Sequence, residues 1–139
     1  MRVILDTNVI LSGVFFGGVP GRVLDLWRQG RFQLITSPEI LDEYSAAATE
    51  LSKKYSFVEI SSILETIATR SNIYLAPALE QGICDDPDDD KFLACAKVSN
   101  ASFVVTGDKA LLRVRKFGQS RVVSPRDFVL RFKSAHPKR

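Results

Sequence analysis

Residues 2–5, RVIL, form a short apolar run rich in β-branched side chains, the pattern of a strand buried on both faces. The stretch SGVFFGGVPG that soon follows is glycine-rich and is expected to be a loop. From Pro20 onward, Val23, Leu24, Leu26 and Trp27 recur at helical spacing, and Gly30 closes that helix. RFQLIT then reads as a second strand. Ser37-Pro38 supplies an N-cap and a proline for the first helical position, ahead of Ile40, Tyr44, Ala47 and Leu51 on one stripe. Lys53 and Lys54 mark an exposed turn before FVEISSILETIATR, where Phe57, Ile60, Ile63, Leu64 and Ile67 again keep helical spacing.

NIYLAP is expected to be a short third strand. Asp86-Pro87 repeats the cap-then-proline signal, with Asp89 at capping-box spacing, so a helix is expected from there to about Ser99. ASFVVTG is the fourth strand and ends at Gly107-Asp108. KALLRVRKF predicts one or two helical turns, RVVS a fifth strand, and Ser124-Pro125 the start of a last helix through Phe132. Strands alternating with helices predict an α/β layer fold with a mostly parallel sheet. With neither repeat nor linker, residues 1–133 are expected to form one domain, and 134–139 a polar C-terminal tail.

Composition narrows the chemistry. The chain has 139 residues, 45% of them hydrophobic and 25% charged, which suits a globular domain with a core of its own. No apolar run is long enough to span a bilayer, and a charge interrupts the first residues where a signal peptide needs an apolar stretch. No membrane association and a cytoplasmic location are therefore expected. Cys84 and Cys95 lack CxxC spacing and read as reduced, packed thiols. The lone histidine, His136, lies in the polar tail, which argues against Ser-His-Asp and Cys-His hydrolases.

What the composition leaves is carboxylate chemistry. In an open α/β sheet, ligands gather at the carboxyl ends of the strands. Asp6 and Asp108 each follow a strand, while Glu43 and Asp90 fall in the early turns of helices that begin on the same edge. Taken singly, each acid has a plain structural use as a cap, a turn residue or a solvated charge. Together, four like charges on one edge require a compensating cation, and hard oxygen donors without His or Cys favour Mg²⁺ or Mn²⁺. If those four acids share a site, the rest of the surface is more basic than the net charge of +3 suggests, which favours a polyanionic partner.

These residues resemble those of the PIN-domain ribonucleases, especially the VapC-like toxins of bacterial and archaeal toxin-antitoxin pairs. LDTNVILSG is similar to the family's first motif, SPEILDEY to its second, DPDDDKFLACA to its third and VVTGDKALL to its fourth. The resemblance implies a three-layer sandwich around a mostly parallel five-stranded sheet of order 3-2-1-4-5. It implies Asp6, Glu43, Asp90 and Asp108 as metal ligands and catalytic acids, Asn8 as the residue that orients the site, and Thr106 as a hydroxyl in it. Five aspartates crowd residues 85–90, so Asp86 or Asp89 is an alternative to Asp90. The expected activity is Mg²⁺- or Mn²⁺-dependent hydrolysis of RNA phosphodiester bonds.

Lys109, Arg113, Arg115, Lys116 and Arg121 follow the fourth motif and are candidates for holding the RNA backbone. Phe15 and Phe16 could stack bases, meet a partner or fill the core. By the same resemblance a small protein antitoxin and a homodimer are expected, with Ile60, Ile63, Leu64 and Ile67 as one candidate dimer surface. A non-catalytic RNA-binding or assembly module is the alternative, disfavoured because four carboxylates do not help bind RNA. A phosphoreceiver-type domain would need an aspartate after the third strand, where this chain has Leu75-Ala76-Pro77.

Overall fold

The computed structural model describes residues 1–56, 58–84 and 86–134; Phe57, Asp85 and residues 135–139 of the expected tail, His136 among them, lie outside the described residues, and Ser134 ends the last helix. Strand β1 (Arg2–Leu5) is central, with β2 (Gln33–Thr36) and β4 (Phe103–Val105) parallel on either side. Val3, Ile4 and Leu5 are fully buried, as are Ile35, Val104 and Val105. Burial on both faces is why these strands read as continuous apolar runs. The order across the sheet is β3-β2-β1-β4-β6-β5, with β3 at Asn72–Ile73, β5 at Lys116–Phe117 and β6 at Ser120–Val123.

The expected order 3-2-1-4-5 is present with one strand added. β5 pairs antiparallel with β6 through a two-residue turn, Gly118-Gln119, where Gly118 takes φ 59°. The helix expected over KALLRVRKF is correspondingly short, Lys109–Leu112, because Arg115 turns left-handed at φ 62° and feeds the chain into β5. At the other edge, only Asn72–Ile73 of NIYLAP pairs as β3.

Among the described residues, seven α-helices fill the remaining connections: α1 (Thr7–Phe15), α2 (Gly18–Arg28), α3 (Pro38–Ser52), α4 (Ile60–Arg70), α5 (Asp90–Ser99), α6 (Lys109–Leu112) and α7 (Pro125–Ser134). α1 corrects an expectation, since most of the presumed loop SGVFFGGVPG is helical. Val9, Ile10, Leu11 and Phe15 are buried along it, so packing overrides the weak helix propensity of the glycines. The loop shrinks to a corner at Gly17 and Gly18, both at positive φ. Gly13 lets α1 and α2 meet: a Cβ there would lie 2.6 Å from Leu24 Cδ1 and 2.9 Å from the Pro20 carbonyl oxygen.

α3 starts as its sequence signals, with Ser37 Oγ accepting from the Ile40 N–H at 3.2 Å and Pro38 in the first turn. α5 packs on β1, β2 and β4. α7 is seated by Phe128, which is fully buried and meets Phe32, Phe103 and Phe132 edge-on, with ring centroids 5.1–5.6 Å apart. The proposed dimer face on α4 is largely committed inward. Ile67 is buried, while Ile60, Ile63 and Leu64 pack half-buried against the core.

Candidate active site

The backbone ladder between β1 and β4 continues one residue past the strands. The Asp6 N–H donates to the Val105 carbonyl at 2.9 Å, which places Asp6 at the carboxyl edge of the sheet. Asp6 occupies the N-cap position of α1, yet its carboxylate caps nothing there. Instead it accepts the Thr106 hydroxyl at 2.6 Å, and Thr106 Oγ1 in turn accepts the Asp108 N–H at 3.0 Å. One threonine therefore ties the two acids at the ends of β1 and β4 together. Only 5% of Asp6 is exposed. Burial raises its pKa, the Thr106 and Thr7 hydrogen bonds work against that rise, and the charges of Glu43 and Asp108 add to it.

The aspartate run divides its labour differently from what the sequence implied. Asp86 accepts from the Asp88 N–H at 3.0 Å and caps a 3₁₀ turn over Pro87–Asp89, which delays the start of α5 until Asp90. That extra turn rotates the register. Asp90, the expected ligand, points to the chain before it, where one oxygen accepts the N–H groups of Cys84 at 2.8 Å and Ile83 at 3.2 Å. Against desolvation, these two donors hold its carboxyl below the usual range. Asp89 instead faces the cluster. It is pushed up to about 7, first by burial, then by its contact with the Asp108 carboxyl and by the charges of Asp108, Asp6 and Asp86. Its Oδ2 is buried without a hydrogen-bond partner.

Glu43 reaches the same edge from α3. Its carboxylate accepts the Thr7 hydroxyl and pairs with the ammonium of Lys91, in the first turn of α5. One residue on, the buried Tyr44 donates its hydroxyl to the Leu5 carbonyl, joining α3 to the end of β1. The structure thus gathers Asp6, Glu43, Asp89, Asp108 and Thr106, turns Asp90 away, and leaves Asn8 exposed on the first turn of α1. Asp108 also accepts the Ala110 N–H at 3.3 Å, starting α6.

Among the described residues, no three His, Cys, Asp or Glu side chains already stand so as to hold a metal ion; Glu43 is drawn to Lys91 and Asp90 to backbone. The donor set nevertheless fits a hard divalent cation. It consists of carboxylates alone, two of them with raised pKa and one with a buried oxygen that no donor satisfies. Neither cysteine competes for this role, because burial pushes both thiols up to about 12.

Beside the acids the surface turns basic. Lys109, Arg113, Arg115, Lys116 and Arg121 are all exposed, and the first three flank Leu112 around a shallow depression next to α6. On the far side of α1, Phe15 is buried while Phe16 is 60% exposed and packs edge-on against Tyr55, with ring centroids 5.1 Å apart.

The pattern of the PIN domain matches residues 2–110, from β1 into α6. This chain belongs to the PIN domain family. It is also similar to the uncharacterized protein MJ1680 of Methanocaldococcus jannaschii, at 31% identity over 145 residues, which cover 95% of this chain and 92% of that protein. Its fold is similar to the structure of VapBC2 from Rickettsia felis bound to a DNA fragment from their promoter. There the TM-score is 0.62 at 19% identity, over 89% of this chain and 98% of that one. PAE2754 from Pyrobaculum aerophilum gives a TM-score of 0.57 at 16% identity, over 96% of this chain and 89% of that one.

Within this PIN domain, Thr7 and Lys91 are the cluster members that reading the sequence missed. Lys91 follows the aspartate run directly, and a lysine one residue beyond a row of acids reads as a solvated charge. Thr7 belongs to the first motif, but its partner lies thirty-six residues away, which no local pattern signals.

Proposed function

We propose that this PIN domain is a Mg²⁺- or Mn²⁺-dependent endoribonuclease. The observation that carries the reading is the meeting of Asp6, Asp89 and Asp108 at the ends of β1 and β4, with Thr106 bracing Asp6 and an oxygen of Asp89 left buried and unsatisfied. Asp6, Asp89 and Asp108 would hold the cation, with Glu43 as a fourth donor. When bound, it would lower the pKa of a water and stabilise charge on the leaving oxygen. The chain's own work is positional. Thr106 fixes the rotamer of Asp6, Thr7 orients Glu43, and the packed ends of the strands keep bulk water from Asp6. Lys109, Arg113, Arg115, Lys116 and Arg121 would bind the RNA backbone, the last step in bringing a phosphodiester to the acids.

A toxin role, with a small protein antitoxin as partner, is supported by the four motifs and by the likeness of fold to VapBC2. A homodimer and a cytoplasmic location complete the reading. Cleavage of a labelled single-stranded RNA in the presence of Mn²⁺ or Mg²⁺, abolished by EDTA and by Asp6→Asn, is the expected outcome. Cleavage that survives EDTA rejects the metal mechanism, whereas RNA binding without any cleavage favours the non-catalytic module.

A further inference from the structure

Lys91 is a cation set inside an acid cluster. Its ammonium pairs with Glu43, the carboxylate that also receives the Thr7 hydroxyl. The pair links α5 to α3 across forty-eight residues of sequence, and both side chains are mostly shielded, 23% and 31% exposed. Lys91 also lines a groove of about 290 Å³ with Glu39, Ala76, Leu79, Pro87 and Asp90. This is unlike the other two ion pairs between described residues, Arg28–Asp25 and Lys53–Glu50, which are exposed pairs within one helix.

We infer that Lys91 is the resident counter-ion of the site: its ammonium neutralises Glu43 in the metal-free protein, and a divalent cation must compete with it for that carboxylate. The inference rests on the metal-dependent reading above and deepens it. Two features fix the direction of the effect. An ammonium and a divalent ion sharing one carboxylate repel each other, and in a shielded site that repulsion is only weakly screened. Glu43 does not depend on Lys91 for its place, because Thr7 holds its carboxylate and Tyr44, the next residue, is bonded to Leu5. Removing the lysine therefore removes a competitor and leaves the ligand in position. In the metal-free protein Glu43 is neutralised from within, and the lysine sets how much divalent ion is needed to load the site.

The test is a Mn²⁺ titration of the full chain followed by its melting temperature, comparing wild type with Lys91→Met, Lys91→Gln, Lys91→Arg and Glu43→Gln. Lys91→Met and Lys91→Gln should melt lower without metal, and should reach half of their metal-dependent stabilisation at about tenfold less Mn²⁺. Lys91→Arg, which keeps the charge, should need nearly as much Mn²⁺ as wild type, and adding Lys91→Met to Glu43→Gln should not lower the Mn²⁺ needed any further. Two neutral replacements guard against one that fails to fold. If wild type is stabilised by Mn²⁺ but the neutral variants need as much or more, Lys91 is a structural ion pair and the inference is overturned while the metal reading stands. If Mn²⁺ stabilises none of these proteins, the metal reading falls and takes the inference with it.

Discussion

The Tyr44 hydroxyl donates to the carbonyl oxygen of Leu5, so α3 is fastened to β1 one residue before Asp6 in the strand and one residue after Glu43 in the helix. Both partners are fully buried, and no water can replace the bond. The spacing between the first two acids is thus set by a bond that involves neither of them. Tyr44→Phe should cost about 1–2 kcal/mol, the penalty of leaving a buried carbonyl unpaired. Urea unfolding measures that cost. The same variant should need more Mn²⁺ for half-maximal stabilisation, and an unchanged midpoint would show that Glu43 is placed by α3 packing alone.

The division of labour between adjacent aspartates can be separated by substitution. Asp89→Asn should abolish RNA cleavage, because Asp89 faces Asp108 and Asp6. Asp90→Asn should retain most cleavage and lose at most about 1 kcal/mol, since its carboxylate serves two backbone N–H groups near solvent. The reverse pattern in a cleavage assay would return the ligand role to Asp90.

The raised pKa of Asp89 also fixes the sign of a pH effect. Its ordinary value is 3.8 and its folded value about 7, so the native state keeps a proton that the unfolded chain has released. Its contribution to stability is whole below about pH 4 and is lost as pH rises through about 7. Asp6, also raised, adds in the same direction. In EDTA the wild type should melt lower at pH 8 than at pH 5 by a margin that Asp89→Asn reduces. On the metal-dependent reading, Mn²⁺ should narrow the same margin at pH 8, where the carboxylates are ionised.

Gly13→Ala tests the contact that places α1, the helix Asp6 begins. The new Cβ would fall 2.6 Å from Leu24 Cδ1 and 2.9 Å from a backbone oxygen that cannot swing aside. The expected cost is about 1–3 kcal/mol, as for other overpacked contacts, read from thermal or urea unfolding. A neutral result would mean that α2 shifts freely against α1.

Local signals made much of this architecture legible. Ser37-Pro38 and Ser124-Pro125 start helices where they stand, and the apolar runs ending at Asp6 and Gly107-Asp108 are parallel neighbours whose ends meet. The helix at Thr7–Phe15 was hidden because its one glycine, Gly13, is accommodated through contacts with Pro20 and Leu24 of α2, which no helical pattern announces. The choice between Asp89 and Asp90 was hidden for a different reason. At a helix start, one residue turns a side chain by about 100°. Asp86-Pro87 signals the cap that the structure shows, but nothing in a row of aspartates tells that the turn Asp86 caps is 3₁₀ and sets α5 back to Asp90. Lys91 and Thr7 were invisible because their common partner, Glu43, comes from another element.

The Thr106–Asp6 hydrogen bond joins residues one hundred positions apart, and the strand that carries Thr106 pairs directly with the first strand of the chain. During synthesis, β1 leaves the ribosome long before β4 exists. Until then Asp6 has neither its hydroxyl partner nor Asp108 beside it, and Asp89 has no carboxyl to face. A nascent chain stalled anywhere before residue 106 therefore carries the first motif without its partners, and the acids can meet only when about three-quarters of the 139 residues have been made.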